Sequence, residues 1–344
     1  MPTFYNYTQD GLIYSFDDVF VPADAFGEGN LFTWGKGTEG QLGDNTIIAR
    51  STPVTTFAGG ANWKQVSSGN KHCAAIKTDG TLWTWGYAFV GYGALGDNTL
   101  VARSTPVTTF AGGNNWKQVS AGGQQMAAIK TDGTLWTWGA GFYGQLGDNT
   151  TFTRLTPVTT FAGGTNWKQV SSNSGSKYCA AIKTDGTLWT WGKGTEGQLG
   201  GNNATSKNTP VTTFAGGNNW KQVSTGYANS AAIKTDGTLW TWGRGRYGAL
   251  GDNTATNSQR TPVTTFAGGT NWKQVTCGNT HIAAIKTDGT LWTWGDASYG
   301  GGLGDNTIIA RSTPVTTFAG GNNWKQVSAG RNHCVAIKNI DPML

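Results

Sequence analysis

The sequence predicts an all-β chain folded as a β-propeller, and three observations carry that reading. The string Thr-Leu-Trp-Thr-Trp-Gly recurs, ending at Gly86, Gly139, Gly192, Gly243 and Gly295, with a partial copy ending at Gly35. Successive Trp-Gly pairs are 51, 53, 53, 51 and 52 residues apart, and a period of about fifty marks one supersecondary unit repeated. Every unit divides into about four short β-type runs with no helical periodicity. The ends are complementary half-units. Leu31–Gly35 has no Ala-Ala-Ile-Lys segment before it, and Val335–Lys338 has no Trp-Thr-Trp-Gly after it. An open solenoid needs polar caps at both ends, whereas a ring needs its last unit completed by its first strand.

The first unit runs from Trp34 to Thr84. After Trp-Gly and a variable loop comes Gly40-Gln41-Leu42-Gly43-Asp44-Asn45, then a second variable loop. Pro53-Val54-Thr55-Thr56 suits an outer strand whose proline sits where no ladder donor is needed. Trp63-Lys64-Gln65-Val66-Ser67 alternates apolar and polar side chains, as a half-buried strand does. Ala74–Lys77 and Thr81–Thr84 flank Asp79-Gly80, a strong hairpin signal because both residues tolerate positive φ. Six Asn-Trp-Lys-Gln-Val segments, with Trp63, Trp116, Trp167, Trp220, Trp272 and Trp324, give six units. The expected architecture is a six-bladed ring over 31–344, preceded by an arm over 1–30. Its closure pairs Leu31, Phe32 and Trp34 with Val335 and Ile337, which hides two sheet edges.

Trp-Gly followed by Gly-Gln-Leu-Gly (40–43 and 197–200), then Val-x-x-Gly-x-x-His before an Ala-rich strand, resembles the RCC1 repeat. Val66-Ser67-Ser68-Gly69-Asn70-Lys71-His72 and Val327-Ser328-Ala329-Gly330-Arg331-Asn332-His333 fit that pattern best. The resemblance spans residues 31–338. It implies an RCC1-like propeller in which the histidine is a structural residue of the blade. The chain departs from it in count, since members are typically seven-bladed and six units are found here.

Composition narrows the function. Glycine is abundant, with 53 residues, while charged residues make up 13% of the chain. That combination fits tight strand connections, and the Trp, Val and Ile content suffices for a core. All 17 tryptophans fall in repeat positions, so inter-blade packing accounts for them and no unrepeated Trp is left as a stacking platform. The formal charge is +6, but it is spread over two repeating lysine sets. Lys64, Lys117, Lys168, Lys221, Lys273 and Lys325 form one; Lys77, Lys130, Lys183, Lys234, Lys286 and Lys338 form the other. Both read as a solvated outer surface, not a concentrated nucleic-acid face. No apolar run is long enough for a membrane span, and no secretory signal is expected.

The motifs that suggest chemistry fail on context. Gly35–Gly40, Gly139–Gly144 and Gly243–Gly248 match a dinucleotide fingerprint, but no helix follows to receive a pyrophosphate. His72, His281 and His333 occupy one repeat slot on different blades, too far apart to hold zinc together and without a carboxylate. Cys73, Cys179 and Cys334 share another slot and read as small buried thiols. The second strand is Ala-Ala-Ile in five units and Val-Ala-Ile in the sixth, which offers neither ligand nor nucleophile. No enzyme, cofactor or metal is expected.

Variation between copies gathers in loops. After Trp-Gly the units diverge at Tyr87, Phe89, Tyr92, Phe142, Tyr143, Arg246, Tyr247 and Tyr299, residue types that binding surfaces favour. These are the expected partner-binding residues. The arm carries two aromatic β-type runs, with Phe4, Tyr5, Ile13, Tyr14 and Phe16 as its anchoring residues. Gly11–Phe26 resembles the opening of structural proteins from phages of marine cyanobacteria. Together these imply a virion protein of tail, baseplate or capsid, made in the host cytoplasm. The arm would bind other virion proteins and the loops a host surface molecule. A regulatory module such as a small-GTPase exchange factor, or a bacterial binding or inhibitor propeller, is the alternative.

Overall fold

The computed structural model describes residues 11–12, 29–89, 91–173, 175–298 and 301–339. Five four-stranded antiparallel sheets follow one another, each formed by consecutive strands. The first blade is Trp63–Ser68, His72–Lys77, Leu82–Gly86 and Arg103–Thr108, counted from inside outward. Blades two to five begin at Trp116, Trp167, Trp220 and Trp272. A three-stranded sheet of Gly11–Leu12, Asn30–Gly35 and Arg50–Thr55 precedes them, and a two-stranded one of Trp324–Ala329 and Cys334–Lys338 follows.

The Asp-Gly hairpin forms as its residues dictate. Gly80 takes φ +80°, and Asp79 Oδ1 accepts from the Thr81 N–H and hydroxyl at 2.9 and 2.7 Å. Those bonds hold the Asp79 carboxyl below its ordinary pKa. Ile76 then pairs with Leu82 and Ala75 with Trp83. The inner strand departs from simple alternation. Its register shifts between Trp63 and Gln65, so Lys64 is a bulged residue, and each later blade repeats the bulge.

The core lies between blades. Ala74, Ile76 and Leu82 of the first pack on Trp116, Val119, Met126 and Trp138 of the second. Trp116 meets Trp136 and Trp138 edge-on, with centroids 6.2 and 6.3 Å apart. The second lysine set belongs to this packing, since Lys130 Nζ sits 4.7 and 4.6 Å over the Trp116 and Trp136 rings. The expectation of a merely solvated lysine is corrected there: an aromatic sandwich is close enough for cation–π attraction.

A polar belt seals the inner edges. Gln65 Nε2 donates to the Val119 carbonyl at 3.1 Å, and its Oε1 accepts from the Val119 N–H at 3.0 Å. Gln118, Gln169, Gln222 and Gln274 do the same to Val170, Val223, Val275 and Val327. Ser67 Oγ accepts from the Ala121 N–H in the same manner. Backbone groups that face the channel and lack a strand partner are thereby satisfied by the preceding blade.

The expected closure is not formed among the described residues. Asn30 and Leu31 pair in parallel with Gly11 and Leu12, which occupies the edge that closure requires. Phe32 pairs with Thr55 of the outer strand. Val335 and Ile337 pair only with the strand inside them, and each remains 43% exposed. The two half-sheets instead pack on their own neighbours. Leu31 is buried with Trp63 and Trp85, while Val327 packs with Ile285 and Leu291. Other inter-blade contacts also stop at this seam. Gly251 lies under Trp294, but Gly304, its counterpart one repeat on, has only Thr317 nearby. The Asn253 N–H reaches the Ser312 carbonyl at 2.9 Å; Asn306 makes no equivalent bond.

Candidate functional site

The face opposite the Asp-Gly hairpins carries the connection after each Trp-Gly and the loop after each inner strand. The repeat shapes that inner loop around one bulky residue per blade. A Cβ at Gly69 would meet the His72 ring at 2.5 Å, so only glycine leaves room for the imidazole. Gln125, Tyr178, Asn229, His281 and His333 fill the same slot on the other units. Burial lowers the His72 and His281 pKa from 6.5 to about 4. Neither His72 ring nitrogen has a hydrogen-bond partner. Among the described residues, no group of His, Cys, Asp and Glu is placed to hold a metal ion.

Four of the eight predicted loop residues come together. Tyr87 meets Phe89 at 5.0 Å, Phe89 stacks with Tyr92 at 6.3 Å, and Tyr92 meets Phe142 of the next blade edge-on at 5.1 Å. The His72 ring supports Phe89 from below at 5.6 Å. Cations border the group. Lys71 Nζ lies 5.2 Å from the Tyr87 ring and 3.1 Å from Glu39. Tyr143 lies under Lys177 and Lys193 at 5.1 and 5.6 Å. Exposure divides the labour: Phe89 is 7% exposed and anchors the cluster, whereas Phe142 is 53% exposed and is offered outward.

Arg246 and Tyr247 form a separate pair two blades away, with the guanidinium 4.6 Å over the ring. Tyr299 and the arm residues Phe4, Tyr5, Ile13, Tyr14 and Phe16 lie outside the described residues. Backbone strain marks the same loops. Apart from one asparagine per repeat, the non-glycine residues described at positive φ are Phe89 at +52° and Tyr247 at +60°. Such a conformation costs of order 1–3 kcal/mol and concentrates at functional sites.

Sequence reasoning missed two features of this molecule's surface. Unit three spends eight residues from Val170 to Tyr178 where the others spend six. The longer loop crosses the channel, and Asn173 Nδ2 donates to the Cys277 carbonyl of the fifth blade at 2.9 Å. That two-residue excess was visible in the spacing. The second feature is an apolar rim. Phe57, Phe110, Phe161, Phe214, Phe266 and Phe318 are all strongly exposed, and Ile47-Ile48, Leu100-Val101, Phe152 and Ile308-Ile309 are exposed too. Their invariance among the copies hid the phenylalanines from a search for variable residues.

Residues 25–265 match the RCC1-like domain family, and 272–300 and 288–337 match the regulator of chromosome condensation (RCC1) repeat. The chain is 29% identical over 321 residues to human E3 ubiquitin-protein ligase HERC2, covering 92% of this chain and 7% of the ligase. It is 29% identical over 315 residues to the ultraviolet-B receptor UVR8 of Arabidopsis thaliana, covering 91% of this chain and 70% of the receptor. Its fold is similar to human WBSCR16, with TM-score 0.76, 22% identity, and 89% and 80% of the two chains covered. It is also similar to yeast RCC1 (Prp20) bound to Kap60, with TM-score 0.75, 21% identity, and 90% and 76% covered. The recurring glycine-and-slot motif, the four-stranded blades and this match over most of the sequence agree: the chain belongs to the RCC1-like domain family.

Proposed function

We propose that this chain is a non-enzymatic interaction scaffold that grips a protein partner through the aromatic loops of its first two blades. The observation that supports it is Phe89, a strained aromatic at the centre of a cation-bordered cluster in loops that differ between otherwise near-identical copies. Relatives fit this reading: UVR8 is a receptor, and yeast RCC1 was solved bound to Kap60. An aromatic that becomes a buried hot spot of an interface contributes about 2 kcal/mol or more on truncation, roughly thirtyfold in affinity.

The likeness of Gly11–Phe26 to phage structural proteins supports a finer reading. In it the protein is a virion component, the arm binds other virion proteins, and the loops face a host surface molecule. Mass spectrometry of purified particles tests the location. Replacing Tyr92, Phe142 and Tyr143 by alanine should leave incorporation intact and weaken host adsorption; replacing Phe4, Tyr5, Ile13, Tyr14 and Phe16 should do the reverse. A loop variant that fails to incorporate makes these loops assembly contacts and ends the adhesion reading.

A further inference from the structure

One contact between neighbouring blades is made by an acid in one unit and by an aromatic ring in another. Glu39, in the connection after Gly35, reaches Lys71 of the first blade at 3.1 Å. Tyr143 holds the same place after Gly139. Its N–H donates to Gln145 Oε1 at 2.8 Å, as the Glu39 N–H does to Gln41 Oε1. Lys177 precedes the slot residue Tyr178 as Lys71 precedes His72, so it meets a phenol where Lys71 meets a carboxylate. Its Nζ lies 5.1 Å from the Tyr143 ring, and Lys193 Nζ of the following connection lies 5.6 Å from the same ring.

Two ammonium groups thus share one ring. The ion pairs found among the described residues use Arg50, Lys71, Arg103, Arg154 and Arg311, and neither Lys177 nor Lys193 takes part in one. The nearest acid in sequence, Glu196, repeats Glu39 one interface further on, where Ala228 stands at the lysine position. A ring attracts an ammonium less strongly than a carboxylate does, so the pair keeps most of its charge for a ligand. Both lysines are half-buried, while Phe142 and Tyr143 are exposed. The charge therefore sits beside apolar surface that is open to a partner.

We propose that Lys177 and Lys193 form a carboxylate subsite for an Asp or Glu side chain of the protein partner, with an apolar residue of the same segment packed on Phe142 and Tyr92. The subsite rests on the reading of the aromatic loops as the partner face, and it adds the chemistry of what they grip. The Lys71–Glu39 pair is the template within the chain: the partner supplies to Lys177 the acid that Tyr143 has replaced. A peptide fits better than other anions. Tyr92 and Phe142 meet at 75°, which leaves no flat platform for a sugar ring. A single pair of ammonium groups, with Lys71 already matched by Glu39, is too short a row to track a phosphate backbone.

The test is fluorescence anisotropy of the labelled peptide Gly-Glu-Leu-Glu-Phe-Glu-Gly and of its counterpart with every glutamate replaced by glutamine, each titrated with the full chain at low salt. The acidic peptide should bind about tenfold more tightly or better, the size expected for a hydrogen bond to a charged group. That preference should fade with salt, because exposed charges are screened within about 10 Å at 0.1 M. Lys177→Gln/Lys193→Gln should abolish it, and so should Tyr143→Glu, which returns to Lys177 a carboxylate of its own. Lys168 and Lys221 are exposed and follow tryptophans bonded to the hairpins on the opposite face. Lys168→Gln/Lys221→Gln removes the same charge there and should keep the preference within about twofold. Thermal melts check that the variants are folded. No binding of the acidic peptide, equal binding of the two peptides, or an unchanged preference in Lys177→Gln/Lys193→Gln overturns the subsite. Phe142→Ala separates it from the aromatic grip. Loss of binding there without a lysine effect overturns the subsite and keeps the grip, whereas a lysine effect without loss there supports the subsite and overturns the grip.

Discussion

Gln169→Ala and Gln326→Ala remove the same side chain from equivalent positions of two blades, yet the structure assigns them different costs. Gln169 is 1% exposed, donates to the Val223 carbonyl at 2.8 Å and accepts from the Val223 N–H at 3.1 Å. Its loss removes two hydrogen bonds, each worth about 0.5–1.5 kcal/mol net, and strands two backbone groups that cost about 1–3 kcal/mol each where water does not reach. Some water entry from the channel brings the expected loss to about 2–4 kcal/mol. Gln326 is half-buried at the seam and makes no such pair with Val66. Its replacement should cost under about 0.5 kcal/mol, as surface changes do. An unfolding entropy of about 2.1 cal/mol/K per residue converts the first figure to a Tm drop of about 3–6 °C. Differential scanning calorimetry of both variants reads the difference directly. Equal, large drops would mean that the ring is closed in solution and that Gln326 completes the belt. A negligible drop for Gln169→Ala would refute the belt as a source of stability.

Acid should destabilise the fold well above the carboxylate range. His72 and His281 have folded pKa values depressed to about 4 by burial, against 6.5 for the free group. Their contribution is complete above pH 6.5 and is lost as pH falls towards 4, roughly 3 kcal/mol for each. Urea melts between pH 7.5 and 4.5 should show that loss, reduced by about half in His72→Gln, and a flat profile contradicts it. Lys130→Met should cost about 1 kcal/mol, because it keeps the aliphatic stem but loses two cation–π contacts of roughly 0.5–1 kcal/mol each; an unchanged Tm removes those contacts from the account. Gly251→Ala and Gly304→Ala share φ +65° and hence the same backbone strain. A Cβ at Gly251 would stand 2.7 Å from the Trp294 ring, against 3.9 Å to Thr317 at Gly304. The first should therefore be the costlier by about 1–3 kcal/mol, and equal costs would place a tryptophan over Gly304 as well.

The sequence carried the blade because each of its signals is local. Asp79-Gly80 needs only its own φ angles and Thr81, and Trp63, Trp83 and Trp85 pack on one another within a single repeat. Plain alternation along the inner strand misses the bulge at Lys64, because the bulge depends on a register set by the partner strand. The expected closure is absent among the described residues for a related reason. Residues 31–35 and 335–338 match in type, but pairing also needs a free edge, and Gly11–Leu12 holds the one at Asn30–Leu31. Comparison between copies singles out Tyr87, Phe89, Tyr92 and Phe142 as residues that differ, and the structure brings these four rings together. Comparison alone could not say that Phe89 would be buried beneath the rest, since this follows from His72 lying beside it.

The bonding pattern also explains why the loops are free to differ. Each blade holds the next through glutamine and serine side chains on backbone groups, and through tryptophans over glycines. Where these contacts use the connection after Trp-Gly they use its later part, at Ala94, Gly96, Gln145 and Gly147, so aromatics at 87–92 and 142–143 change the surface while those bonds stay in place. The same pattern gives inner blades two bonded neighbours and each half-sheet only one. Stability in such arrays is a sum of unit and interface terms, so opening is expected to begin at the seam, with Val335 and Ile337 already half in water. The aromatic cluster spans the first and second blades, joined by the Gln65 and Ser67 bonds to Val119 and Ala121. The proposed partner site therefore sits on the bonded part of the ring, away from the Cys334–Lys338 edge where fraying is expected.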